Sequence, residues 1–191
     1  MNRLAAILML ALAALPAAAQ AVETKTISKT APRFEMTIDY PATGNAMIDA
    51  DIAAFAQRFA DEFGALADDA ASDDFMAPGA WWGELMFSVQ RDDAEVFSVA
   101  FTWYTYTGGA HPNLSLHALN YLKGAGRRIT IEELVGPQGI KQVSDAARAD
   151  LKPRMLEAGE GDMFLNGTQP NPENFEAFTW YADRLHFSFS P

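Results

Sequence analysis

The middle of the chain carries a strict period of two, and this limits its fold more than any other feature. Leu85, Phe87 and Val89 alternate with Met86, Ser88 and Gln90. After Arg91-Asp92-Asp93-Ala94 the alternation resumes with Phe97, Val99, Phe101 and Trp103 against Ser98, Ala100, Thr102 and Tyr104. Successive side chains on a strand point to opposite faces, so the segment is a β-hairpin with one oily face that something else must cover. A Gly108-Gly109 turn leads to a third alternating strand, Leu114 to Leu122, in which Leu114, Leu116 and Ala118 oppose Ser115, His117 and Leu119. Phe34, Met36 and Ile38 against Glu35, Thr37 and Asp39 predict another half-buried strand, which follows a polar stretch from Val22 to Ala31 and stops at Tyr40-Pro41. Phe175 to Tyr181 and Leu185 to Phe189, joined by Ala182-Asp183-Arg184, predict a closing hairpin.

Two segments supply the cover. Ile48, Ile52, Phe55, Phe59, Phe63 and Leu66 recur at spacings of three and four, with Asn45 or Asp49 placed to cap the helix they define. Ile140, Val143, Ala147 and Leu151 define a second helix from about Pro137 to Leu156, bent or ended by Pro153. Asp68, Asp69, Asp73 and Asp74, with small residues between them, suggest a solvated linker, because a calcium loop needs a glycine and a ligand spacing that are absent. The order of elements predicts an α+β fold: a mainly antiparallel sheet with two main helices packed on one face. With the oily positions under the helices, the opposite face is open and carries Ser98, Thr102, Tyr104, Ser115, His117, His186 and Ser188.

The amino terminus is an address. Arg3 gives a positive start, Leu4 to Leu15 is apolar, and Pro16 to Ala21 offers cleavage sites near Ala19 or Ala21, so residues 1–21 are expected to be a bacterial secretory signal peptide. Twelve apolar residues fall short of the roughly 20 that span a bilayer, so no membrane anchor is expected. The mature segment, 22–191, has a length suited to one domain in the periplasm or outside the cell. The chain has no cysteine, which excludes disulfides, thiolate metal sites and cysteine nucleophiles. With 14 Lys+Arg against 25 Asp+Glu the formal charge is −11, and loss of Arg3 with the leader takes it to −12. That balance excludes general nucleic-acid binding.

No motif assigns catalytic residues: Gly-x-Ser-x-Gly, His-Glu-x-x-His and a phosphate-binding glycine loop are all missing. Glu84, Glu132 and Glu133 flank structured segments, where cap or surface roles are the ordinary ones. Trp81-Trp82 and Trp180-Tyr181 can stack on sugars, but neighbours on a strand point oppositely, so one of each pair belongs to a core. His111, His117 and His186 have no spacing that demands zinc, and neither a metal nor a cofactor is expected. The candidate ligand-binding residues are Tyr104, Tyr106, Gly108, Gly109, His111, Asn113 and His117. Gly108 and Gly109 permit positive φ and close backbone approach. The turn either presents N–H groups and the His111 imidazole to a ligand or, as the favoured reading, routes the chain tightly with His111 locking the loop.

The run Phe101-Thr102-Trp103-Tyr104-Thr105-Tyr106-Thr107-Gly108-Gly109-Ala110-His111-Pro112-Asn113, with Leu119-Asn120-Tyr121 and Gly126-Arg127-Arg128-Ile129-Thr130-Ile131-Glu132-Glu133-Leu134, resembles the RsiV-type extracytoplasmic domain family, domain of unknown function 3298. It resembles too the related module at the front of PdaC-type peptidoglycan deacetylases. The resemblance covers most of the chain from about Phe34. It implies an exported α+β domain with no assigned catalytic residues, akin to a sensor that binds lysozyme. It also implies a further strand segment past Pro191, so that the sheet as given is expected to lack an edge element.

The expectation is therefore a non-catalytic periplasmic binding module. It takes a lysozyme-like basic protein or a cell-wall ligand such as peptidoglycan on the open face and the Gly108 to Asn113 turn, helped by its negative charge. Two alternatives stand beside it. One is an envelope enzyme acting on peptidoglycan or a related glycan, with His111 and a carboxylate as acid and base. The other is an assembly domain pairing through a sheet edge.

Overall fold

The computed structural model describes residues 22–70, 81–155 and 162–189. The leader, Asp73, Asp74 and Leu156 lie outside the described residues. Strands β1 (Glu23–Ala31), β2 (Phe34–Ala42), β3 (Trp81–Asp92), β4 (Val96–Tyr106), β5 (Asn113–Leu122) and β6 (Arg127–Arg128) form one six-stranded sheet in chain order. All neighbours pair antiparallel except β2 and β3, which run parallel because helix α1 (Ala46–Ala70) crosses between them. The α+β class with a mainly antiparallel sheet therefore holds.

Helix α1 starts where the sequence allows it to. Asn45 Oδ1 accepts from the backbone N–H of Met47 at 3.1 Å, while Asp49 instead ties down the preceding turn through the N–H of Thr43 at 2.7 Å. The apolar stripe buries Ile48, Ile52, Phe55, Ala56, Ala60, Phe63 and Ala67 against Phe34, Met36, Ile38, Leu85, Phe97, Val99, Phe101, Leu119 and Tyr121. Each large side chain buried here contributes about 1.5–3 kcal/mol of transfer free energy, so this core fixes the helix on the sheet. Leu66 is left 51% exposed, since small Ala60 and Ala67 carry the contact stripe at this end. Asp68 and Asp69 fall within α1 rather than in a linker.

The third strand shows the main departure from the sequence pattern. Trp103 pairs with Ser115, Phe101 with His117, Val99 with Leu119 and Phe97 with Tyr121. Directly opposed residues share a face, so Ser115 and His117 lie on the α1 side, and Leu114, Leu116 and Ala118 lie on the other. The register follows buried Leu119 and Tyr121 rather than Leu114 and Leu116.

Helix α2 (Ile131–Leu151) begins earlier than its apolar repeat suggests, at a capping box in which Thr130 and Glu133 each bond the other's backbone N–H. It is kinked at Gly136 (φ 67°), so the repeat from Pro137 is its second half. Helix α3 (Asp162–Gly167) and a two-stranded sheet, β7 (Phe178–Trp180) with β8 (Leu185–Phe187), follow. Among the described helices, α1 alone packs on the oily face of the large sheet. Helix α2 builds a second core, in which Ile131, Ile140, Phe175 and Phe178 are buried beside Val143, Leu185 and Phe187. This unit is fixed to the opposite face of the large sheet through Asn120. Its Nδ2 donates to the Phe178 carbonyl at 2.7 Å, and its Oδ1 accepts from Ser98 Oγ at 2.6 Å and Trp180 N–H at 3.2 Å.

Candidate functional site

The second core covers only the Ser98–Asn120 end of that face, and among the described residues no element covers the other end. There β3 and β4 place Trp82 opposite Tyr106 and Glu84 opposite Tyr104. The Trp82 and Tyr106 rings lie 6.3 Å apart at 22°, close to parallel. Two flat apolar surfaces thus stand side by side with polar edges, an arrangement suited to stacking. Beside them is a hollow of about 350 Å³ lined by Glu35, Thr37, Trp82 and Glu84. Glu35, Glu84 and Met86 are exposed, while Trp82, Tyr104 and Tyr106 are half-buried.

The Gly108–Asn113 turn rises from the same end. Gly108 takes φ 86°, a left-handed conformation open to glycine; Gly109 does not share it. A Cβ on Gly108 would sit 3.7 Å from Trp81 Nε1, so the turn lies against that indole. Tyr106 Oη donates to the Gly109 carbonyl at 3.0 Å, and the Thr105–Asn113 pair closes the loop. It is Tyr106, therefore, that ties the turn to a strand. His111 is exposed and its Nδ1 reaches only the neighbouring Pro112 carbonyl, at 3.0 Å. No carboxylate contacts it among the described residues.

The seven candidates therefore divide. Tyr104 and Tyr106 lie on the bare face; Gly108, Gly109, His111 and Asn113 form the turn at its rim; His117 lies under α1, on the far side of the sheet. Its ring meets Phe55 and Phe59 edge-on, with centroids 5.9 and 5.1 Å away, and its Nε2 is 3.0 Å from Ser115 Oγ. Burial, reinforced by the nearby Arg58 charge, holds its pKa below the usual imidazole value. His186 is exposed on β8, so the three histidines occupy three separate surroundings. Among the described residues no cluster of His, Asp or Glu is arranged to hold a metal ion.

Other residues take ordinary structural roles. Trp81 packs against the α1 core while Trp82 faces away from it, as strand parity requires. Glu133 completes the α2 cap and pairs with Arg127 at 2.9 Å. Asp51 of α1 accepts from Tyr121 Oη at 2.7 Å and from Arg128 Nη2 at 2.7 Å, binding the helix to β5 and β6. Burial raises its pKa, but the bonds from Tyr121 and Arg128 outweigh burial and hold the carboxyl below the usual value. Residues that single-residue reasoning left off the candidate set are Glu35, Glu84 and Trp82. The parity of β3 relative to Leu85 is the signal that puts Trp82 and Glu84 together on the bare face.

The fold and this surface define a class: an α+β domain that keeps one end of its sheet uncovered as an aromatic platform. Residues 20–114, β1 through the start of β5, match the family model described as deacetylase PdaC, and the chain carries a PdaC-related domain. A solved DUF3298 family protein from Pseudomonas aeruginosa PAO1 is similar at 17% identity, with 72% of this chain and 70% of that chain covered and a TM-score of 0.49. A DUF3298 family member from Bacteroides fragilis is similar at 15% identity, covering 69% and 70%, with a TM-score of 0.41. No curated protein matches the chain.

Proposed function

We propose that this protein is a non-catalytic binding module of the bacterial cell envelope, exported by the leader at 1–21, that takes a cell-wall glycan on the bare sheet end. The observation that carries the reading is the near-parallel Trp82–Tyr106 pair beside exposed Glu35 and Glu84. A pyranose ring offers an apolar C–H face for the aromatic rings and hydroxyls for the carboxylates, so a single ligand satisfies both halves of the site. The resemblance to the RsiV extracytoplasmic domain and to the module of PdaC-type deacetylases supports an envelope setting. A second reading, a lysozyme-like basic protein as ligand, is favoured by the charge of −11, which steers cations and loses effect as salt rises.

Calorimetry of segment 22–191 against soluble peptidoglycan fragments and a lysozyme, at low and moderate salt, separates the two. The glycan reading expects fragment binding, largely salt-independent, weakened about tenfold or more by Trp82→Ala, as truncation of an aromatic anchor does. Lysozyme binding that falls steeply with salt and ignores Trp82→Ala moves the proposal to the protein ligand. Silence toward both removes it.

A further inference from the structure

A second cavity lies elsewhere, on the β5 side of the sheet. It measures about 910 Å³ and lies where the two cores meet, between α1 on one wall and the segment from α3 to Phe189 on the other. Cavities of roughly 300–1,000 Å³ at the junction of two packed units are the usual setting for small ligands.

Its chemistry is divided between the walls. The α1 wall carries Phe55, Phe59, Arg58 and Glu62, with Arg128 of β6 also lining the cleft; the facing wall carries Phe189, Glu173 and Glu176. The Arg58 guanidinium lies over the Phe55 ring, 5.6 Å from its centroid, and has no carboxylate partner among the described residues. Stacking on a ring fixes a guanidinium plane while leaving its N–H fork available, the state in which it receives a carboxylate at least entropic cost. Between the walls stands His117, whose Nε2 is engaged by Ser115 and whose Nδ1 has no partner among the described residues. It is the one polar side chain of the strand floor that can turn a free ring nitrogen to a ligand.

We infer that this cleft binds a short peptide with free termini and apolar side chains. The carboxylate is held by Arg58 with His117 beside it, the ammonium by Glu173 and Glu176, and the side chains by the phenylalanines. The charge arrangement selects this class. A simple anion meets Glu62, Glu173 and Glu176 on the walls; a simple cation meets Arg58 and Arg128; a zwitterion is complementary to both kinds of group. The site is separate from the sheet-end platform, and neither proposal depends on the other.

The test is calorimetry of segment 22–191 with the dipeptide Leu-Phe, its N-acetyl form and its C-terminal amide, at pH 7.5. The expected result is binding of Leu-Phe, with each blocked form about tenfold weaker, because a charge-assisted hydrogen bond is lost at one end. Arg58→Ala should remove the difference between Leu-Phe and its amide, and Glu176→Gln should reduce the difference between Leu-Phe and its acetylated form. Both residues are exposed on the surface, so the variants keep the fold, which far-UV circular dichroism checks. Trp82→Ala should bind Leu-Phe unchanged. No binding of Leu-Phe, or binding that is equal for all three ligands or unaffected by Arg58→Ala, overturns the inference.

Discussion

Asn120 holds the second core to the sheet, and its removal has a cost that follows from its partners. Its side chain is 1% exposed, and three polar groups depend on it. In Asn120→Ala the Trp180 N–H keeps a bond to Ser98 Oγ at 2.9 Å, but the Phe178 carbonyl loses its donor. One orphaned buried carbonyl costs about 1–3 kcal/mol, and a small cavity adds about 1 kcal/mol, so the loss should be about 2–4 kcal/mol. Asn120→Asp has the same shape and keeps the acceptor, yet turns a second oxygen toward the Phe178 carbonyl. The buried carboxyl then has a folded-state pKa above its unfolded value of about 3.9. Its deficit is therefore largest above the folded pKa and shrinks as pH falls toward the unfolded one, where the protonated acid donates to Phe178. Urea unfolding of wild type and both variants at pH 7 and pH 5, followed by tryptophan fluorescence, measures this. An Asn120→Ala loss below about 0.5 kcal/mol, or an Asn120→Asp deficit relative to wild type identical at the two pH values, refutes the reasoning.

Gly83→Ala would place a Cβ 2.6 Å from the Trp103 ring, which Phe59 and Phe63 hold at 5.2 and 5.8 Å; a loss of about 1–3 kcal/mol in the urea midpoint is expected. His117 should titrate below the usual value of about 6.5 in proton NMR spectra. Its folded-state pKa is depressed, so the unfolded chain binds more protons in the window between the folded and unfolded values and stability falls as pH drops through it, a fall that His117→Gln should lessen. Asp93 accepts from the Val96 N–H, is opposed by burial, and is further aided by Arg91 and the Glu95 N–H, which together lower its pKa to about 2. Its contribution is present above about pH 4 and lost as pH falls toward 2; because the carboxyl is 42% exposed, Asp93→Ala should cost only about 1 kcal/mol at pH 7 in the same assay.

The hairpin β3–β4 was legible because alternation holds from Leu85 to Val89 and again from Phe97 to Trp103, although the register shift between Val89 and Arg91 left no sign in it, and α1 because its apolar spacing is helical throughout. Strand β5 misleads for a definite reason. Leu114 and Leu116 are apolar but half-buried on the far face, while His117 is polar yet lies under α1, so parity alone selects the wrong side. Only the pairing of Leu119 and Tyr121 with Val99 and Phe97 sets it. Strand β1 has a single apolar residue, Ile27, between its ends because it is an edge strand with most positions exposed, and an edge needs no oily face. The start of α2 had a readable sign in Thr130-x-x-Glu133. Trp82 and Glu84 follow from β3 parity once Leu85 is assigned inward. The cleft around Arg58 does not, since it joins α1 to residues more than a hundred positions later. No local pattern records that juxtaposition.

Binding at the bare sheet end can be read by following the four tryptophan indole N–H resonances in 15N-edited NMR spectra while a soluble peptidoglycan fragment is added. The Trp82 signal should shift in a saturable way, with backbone shifts confined to the Gly108–Asn113 turn and the outward positions of β3 and β4. Trp103, packed between Phe59 and Phe63, should stay still. Saturable shifts elsewhere with Trp82 unmoved, or no shift at any concentration, would contradict binding at this end.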